Sequence, residues 1–152
     1  MNHVFFFTGL FVLSSLLAAM EIQVEGTQGW AASLPTWRMD NRFSKALLSG
    51  KPLTGYHFYL FSFVFVFVHL PFFSGLAPWT LGHELRVMAF NFLFWVAEDF
   101  LWFIFNPAFG LSKFKREHIW WHAPTWWIIA PRDYWVLTPM GIGLYLISLN
   151  LA

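Results

Sequence analysis

The 152-residue chain has no cysteine, so disulfides, thiolate nucleophiles and cysteine-ligated zinc or iron–sulfur centres are excluded together. Charge is nearly as scarce. Asp, Glu, Lys and Arg make up 11% of the residues, against roughly 25% in ordinary soluble domains. The net charge of +1 comes with no basic tract, so no nucleic-acid partner is expected. Internal repeats, low-complexity segments and polar linkers are also missing, and residues 1–152 read as one domain. Apolar material fills the space instead: 58% hydrophobic and 22% aromatic residues, with 20 Phe and 10 Trp. A soluble fold of this size has too little interior to hold so much of it. Lipid is the expected solvent, and membrane lipid the expected neighbour.

Four apolar stretches organise the chain, over about 4–21, 56–73, 85–105 and 134–151. Each approaches the roughly 20 residues a spanning helix requires. The fold class expected is an all-α integral membrane protein, a four-helix transmembrane bundle with a Trp-rich interfacial segment. FSFVFVFVH in the second stretch alternates like a strand, but both of its faces are apolar and its length favours a helix. Pro71 and Ser74-Gly75 end that helix, and Asn106-Pro107 end the third. Pro139, Gly141 and Gly143 in the fourth permit a kink or a close helix approach. The first stretch also resembles a signal peptide, with Ala18 and Ala19 after an apolar core. It lacks a preceding Lys or Arg and a clean cleavage pattern, so it reads as a retained helix.

Basic residues orient the bundle. Arg38, Arg42, Lys45 and Lys51 follow the first helix, and Lys113, Lys115, Arg116 and Arg132 follow the third, leaving only Arg86 towards the other side. The positive-inside rule then puts both long loops in the cytoplasm, with an inner (plasma) membrane location. Trp30, Trp37, Trp120, Trp121, Trp126, Trp127 and Trp135 fall at the same face and read as an aromatic belt. Segments 26–50 and 113–130 are expected to lie in that interface, the first as a lid in which Trp30, Leu34 and Trp37 follow helical spacing.

Within this frame Glu98 and Asp99 stand out. They fall in the last third of VMAFNFLFWVAEDFLWFIF, where each buried carboxylate costs about 2.5–3.5 kcal/mol unless paired, protonated, hydrated or metal-bound. Glu84, Asn91 and Glu98 recur every seven residues, a stripe that drifts by only about 20° per step and should face the interior. His118 and His122, four apart in EHIWWHAPTWW, share a face if that segment is helical. Glu117 precedes the first of them, so the HExxH zinc-protease pattern is absent. Two imidazoles with two carboxylates suit zinc, iron or manganese. The expected centre is therefore Glu98, Asp99, His118 and His122 as ligands of a divalent metal, with Glu98 and Asp99 also catalytic. Glu21, His57 and Arg38 are expected behind them, Arg38 with Arg42 being also a candidate for lipid phosphates. His69 and His83 lie near the opposite face and only approximate a pair of haem ligands.

The function expected is a small membrane protein with a polar, metal-binding site near the cytoplasmic face, an enzyme on a lipid-like substrate. The alternative is a non-catalytic accessory or ligand-binding subunit, its polar stripes docking into an oligomer or larger membrane complex. A carrier or ion pathway fits less well, because a pathway needs polar residues along the whole span. Here the first helix offers only Thr8, Ser14 and Ser15, and the second only Ser62 and His69.

Overall fold

The computed structural model describes residues 3–151. The fold is mostly helical: α1 (His3–Glu25), the short α2 (Arg42–Leu47), α3 (Gly55–Val68), the single turn α4 (Leu70–Phe73), α5 (Leu81–Phe105) and α6 (Arg132–Leu149). Of these, α1 and α5 are long and apolar enough to cross a membrane. At 1.5 Å per residue they reach about 34 and 37 Å. α3 is apolar but has 14 residues.

Local chemistry explains the bounds. Thr80 caps α5, its hydroxyl accepting the His83 N–H at 3.1 Å, so this helix starts four residues before the 85 expected from hydropathy alone. Thr54 caps α3 in the same way. The single helix expected over 56–73 is broken at His69, because Pro71 disfavours helical backbone just before it and tolerates only a fresh first turn. α1 continues past the expected residue 21 to Glu25 and stops at Gly26, whose φ of 66° is left-handed. Arg132 rather than Tyr134 opens α6, and Pro139 is carried inside it.

α5 is the spine, packed along α1 on one side and α6 on the other, with only a sparse contact to α3. Gly141 allows α6 to approach: a Cβ there would sit 2.7 Å from Leu93 and 3.3 Å from the Ala89 carbonyl oxygen. Two small cores result. One, at the far end of the helices, joins Phe6, Ala89 and Tyr145. The other, beneath the two long loops, joins Ala18, Trp30, Trp102, Phe103, Ile119 and Trp121.

The loops correct two expectations. The all-α reading omits two antiparallel ladders, β1 (Arg38–Met39) with β2 (Leu53–Thr54) and β3 (Trp126–Trp127) with β4 (Ala130–Pro131). These ladders satisfy backbone groups that a loop packed on apolar helix ends cannot give to water. Nor is the part of the lid that holds Trp30, Leu34 and Trp37 helical; within 26–50 only α2 is. Trp30 and Ala31 take left-handed φ of 47° and 51°, which turns the Trp30 ring inward while Trp37 stays 47% exposed. Trp30 and Trp121 are thus core residues and not part of an exposed belt, whereas Trp37, Trp120, Trp127 and Trp135 remain exposed. The two loops interlock through the Thr125 hydroxyl, which donates to the Ser49 carbonyl (2.8 Å), and the Trp120 indole, which donates to that of Gln28 (3.2 Å).

Candidate metal and acid–base site

Beneath the interlocked loops lies a cavity of about 820 Å³ whose polar end is lined by Glu21, Glu25, Glu98, Asp99 and Asp133, with His57, His122, Lys51 and Tyr134. Four helices, α1, α3, α5 and α6, and the two long loops, with Lys51 and His122, supply these groups. Glu21 and Glu25 are one turn apart, so they share the inner face of α1's last turns. Asn106, just after α5, donates from Nδ2 to the Gly26 carbonyl at 2.9 Å. That bond locks the ends of α1 and α5 together and sets Glu25 in register with Glu98.

Glu21, Glu25 and His57 form a group that can hold a metal ion: one donor atom from each lies within 4.8 Å of the others, and all three residues are buried. Two bonds of 2.0–2.2 Å allow donor separations up to about 4.4 Å, so the side chains need draw in by less than about 1 Å. Each is already oriented. Glu25 Oε1 accepts the Ala31 N–H at 2.5 Å and lies 3.4 Å from His57 Nε2. Thr54 Oγ1 holds His57 Nδ1 at 2.7 Å, and the Trp30 ring stacks on the imidazole at 3.8 Å. A fixed Nδ1 partner leaves Nε2 to face the ligand, the usual arrangement behind a metal-bound histidine. The left-handed turn at Trp30–Ala31 thus has a local consequence, delivering both the stacking ring and the N–H that grips Glu25. Tyr56 donates its hydroxyl to Glu21 Oε1 at 3.0 Å.

Glu98 stands beside this group. Its carboxyl lies within hydrogen-bonding reach of Glu21's, and two carboxylates so placed repel unless a proton or cation sits between them. Glu98 is 4% exposed, and among the described residues its Oε1 finds no protein partner.

Asp99 points to a separate set. Its Oδ1 lies 3.2 Å from His122 Nε2, and its Oδ2 accepts the Tyr134 hydroxyl at 2.5 Å. Burial first, then the Lys51 charge, hold the His122 imidazole below its usual range, with Asp99 opposing both. A neutral His122 donating from Nε2 to Asp99 leaves Nδ1 as a lone pair. That atom, like the Trp102 indole N–H, is buried on the cavity wall without a protein partner among the described residues. An unsatisfied buried polar atom costs about 1–3 kcal/mol, and here three of them surround one space.

The sequence-derived centre is therefore divided. Glu98, Asp99 and His122 line one cavity, and Glu21 and His57, expected behind them, join the group best spaced for a metal. His118 is left on the exposed surface, because 118–122 is a chain of turns and not a helix. The spacing of four then has no common face, and Ile119, Trp121 and His122 turn inward in its place. Arg38 spans the lid backbone, donating to the Ala31 carbonyl, and is not part of the cavity wall. Asn91 lines the cavity with Glu98, as the heptad stripe requires, whereas Glu84 is engaged at the far end by His69 and Trp79. Glu25 is the residue that sequence reasoning missed, and its spacing of four from Glu21 on a continuing helix was the available signal. Comparison with known protein families, curated proteins and solved structures yields no match to this chain.

Proposed function

We propose that this chain is an integral membrane enzyme with a divalent-metal centre at its loop end, acting on a lipid-like substrate at the cytoplasmic leaflet. In this reading all four longer helices cross the bilayer, and the long loops face the cytoplasm. Eight of nine basic residues on that side support the orientation. Glu21, Glu25 and His57 hold the ion, with Glu98 as its fourth protein ligand. The mixed carboxylate–imidazole set suits zinc, manganese or iron.

One observation carries the reading: the unpartnered Glu98 Oε1 and His122 Nδ1 line the same cavity as the Glu21–Glu25–His57 group. An ion there neutralises adjacent buried acids, and the Asp99–His122 pair has a free nitrogen to take a proton. A metal that polarises a phosphoryl or carbonyl oxygen, or activates water, beside such a base is a hydrolytic arrangement.

Elemental analysis of the detergent-purified protein should find close to one zinc, manganese or iron per chain. Glu25→Gln and His57→Ala should each lower metal affinity by about 100-fold or more, a loss of about 2.7 kcal/mol. A protein that neither carries a metal nor is thermally stabilised by adding one overturns the metal centre and favours the accessory-subunit reading.

A further inference from the structure

The cavity does not end at the acids. Along α5 its wall runs from Trp102 up to Asn91, about 16 Å at 1.5 Å per residue. Beyond the polar end the lining turns apolar, with Phe61, Phe65 and Val66 from α3 facing Phe92 and Val96 of α5 and Leu137 of α6. The polar end is closed: Glu25, His57, Glu98 and His122 are all buried. The apolar end is open sideways, where Phe65 and Val66 are 46% and 55% exposed. This opening follows from the packing, since α5 lies tightly along α1 and α6 but meets α3 only sparsely.

We infer that the cavity takes an amphiphile with an oxyanion head and an apolar chain, the chain entering from the bilayer beside α3 while the head lies at the loop end. This rests on reading the cavity as the site of a membrane protein, and it adds the class of substrate and its direction of approach. An anionic head is matched by Lys51 and the Trp102 N–H at the closed end, with the carboxylates there taken up by the proposed ion or by shared protons. Lys51 Nζ lines the cavity, 4.6 Å from the Trp30 ring centroid and 3.4 Å from Asp133, the latter a long ion pair. The Trp102 indole N–H, on a side chain 4% exposed, has no protein partner among the described residues. A metal ion on the carboxylates adds a further positive centre for a phosphate or carboxylate oxygen. The slot confers selection by shape more than affinity, because a chain leaving lipid for an apolar slot gains little from the hydrophobic effect.

The absence of cysteine makes the test clean, since a single introduced thiol is labelled without background. Val66→Cys lines the slot, and Phe63→Cys lies on the same helix, 67% exposed and outside the cavity. Each is labelled with bimane in the detergent-solubilised protein and titrated with tetradecyl phosphate carrying a nitroxide near the chain end. Quenching at position 66 should saturate near one equivalent, while position 63 shows only the unsaturable quenching of the micelle. Val96→Trp should abolish the saturable part and leave metal content unchanged. Lys51→Gln should weaken it about tenfold, with Lys51→Arg restoring it. Equal quenching at both positions, or saturation that survives Val96→Trp, overturns the slot. Equal or tighter saturation by the corresponding tetradecylamine overturns the oxyanion head. Saturable quenching at position 66, alongside a wild-type protein that elemental analysis finds metal-free, upholds the slot while refuting the metal centre, so the two readings fail separately.

Discussion

The two ends of the helical core use the same kinds of side chain to opposite effect. At the far end, His69 bridges the Phe65 carbonyl oxygen (2.6 Å) and Glu84 Oε1 (3.2 Å), Trp79 donates to the second Glu84 oxygen (3.0 Å), and Arg86 reaches Ser148 (3.3 Å). One acid meets one imidazole and one indole, and both of its oxygens are used. At the loop end, Glu21, Glu25, Glu98 and Asp99 crowd two imidazoles, and three buried polar atoms have no protein partner among the described residues. A buried polar cluster that merely joins helices is expected to be satisfied. The far end meets that expectation. The loop end violates it on the wall of a large cavity, which marks a candidate site more firmly than the presence of acids does.

The sharpest way to break this contrast is to exchange its two halves by mutation. His69→Ala and Glu84→Gln should leave metal content at the wild-type level, against the loss of about 100-fold in affinity expected for His57→Ala and Glu25→Gln. Equal losses from both pairs, measured by metal titration, would mean that metal uptake merely tracks folding.

A smaller effect comes from pH. The fold holds His122 neutral where the unfolded imidazole, with its ordinary value of about 6.5, takes up a proton. The unfolded state therefore binds more protons below about pH 6.5, and stability falls as pH falls, by at most about 1.4 kcal/mol per pH unit for one group. Above about pH 6.5 this contribution is fully present and flat. His122→Gln should reduce the slope of melting temperature against pH on the acid side and leave the neutral side parallel to wild type. Superimposable slopes would show that His122 titrates alike in both states.

The smallest expected change has the opposite sign. Glu98→Gln removes one of two facing carboxylates and should raise the stability of metal-free protein by about 1 kcal/mol, while weakening metal binding. The matching Glu84→Gln, which breaks a satisfied pair, should lower stability by about 1 kcal/mol. Thermal melts of the two metal-free variants that shift in the same direction would erase the distinction between the ends.

What was legible in the sequence is what depends on near neighbours along the chain. Composition showed the apolar character, and hydropathy located α1, α5 and α6 to within a few residues. The heptad spacing set Asn91 and Glu98 on an inward stripe, where both are buried. The acid pair in the third apolar run marked the cavity wall, because two carboxylates in such a run stand out without any knowledge of the fold. The ends of elements were harder. The turn of α1 that carries Glu25 reads as polar and loop-like, yet it stays helical because Ala31 and the Asn106–Gly26 bond hold its end in place.

Only the tertiary structure decided which groups meet. His118 and His122 are equivalent by spacing, but one is exposed and the other lies against Asp99, because Ile119 and Trp121 bury themselves in the core and rotate His122 inward with them. Trp30 and Trp37 look alike as interfacial anchors, yet two left-handed residues turn Trp30 onto His57. Lys51, unremarkable in sequence, reaches the cavity because the β1–β2 ladder folds its loop back over the helix ends. Helical periodicity is written in residues three and four apart. The packing of a loop against helix ends depends on residues from Gly29 to Trp121, where the glycine lets the Trp121 ring approach so closely that a Cβ would lie 2.4 Å from it. No local rule relates those two positions, so the sequence alone could not say that they touch.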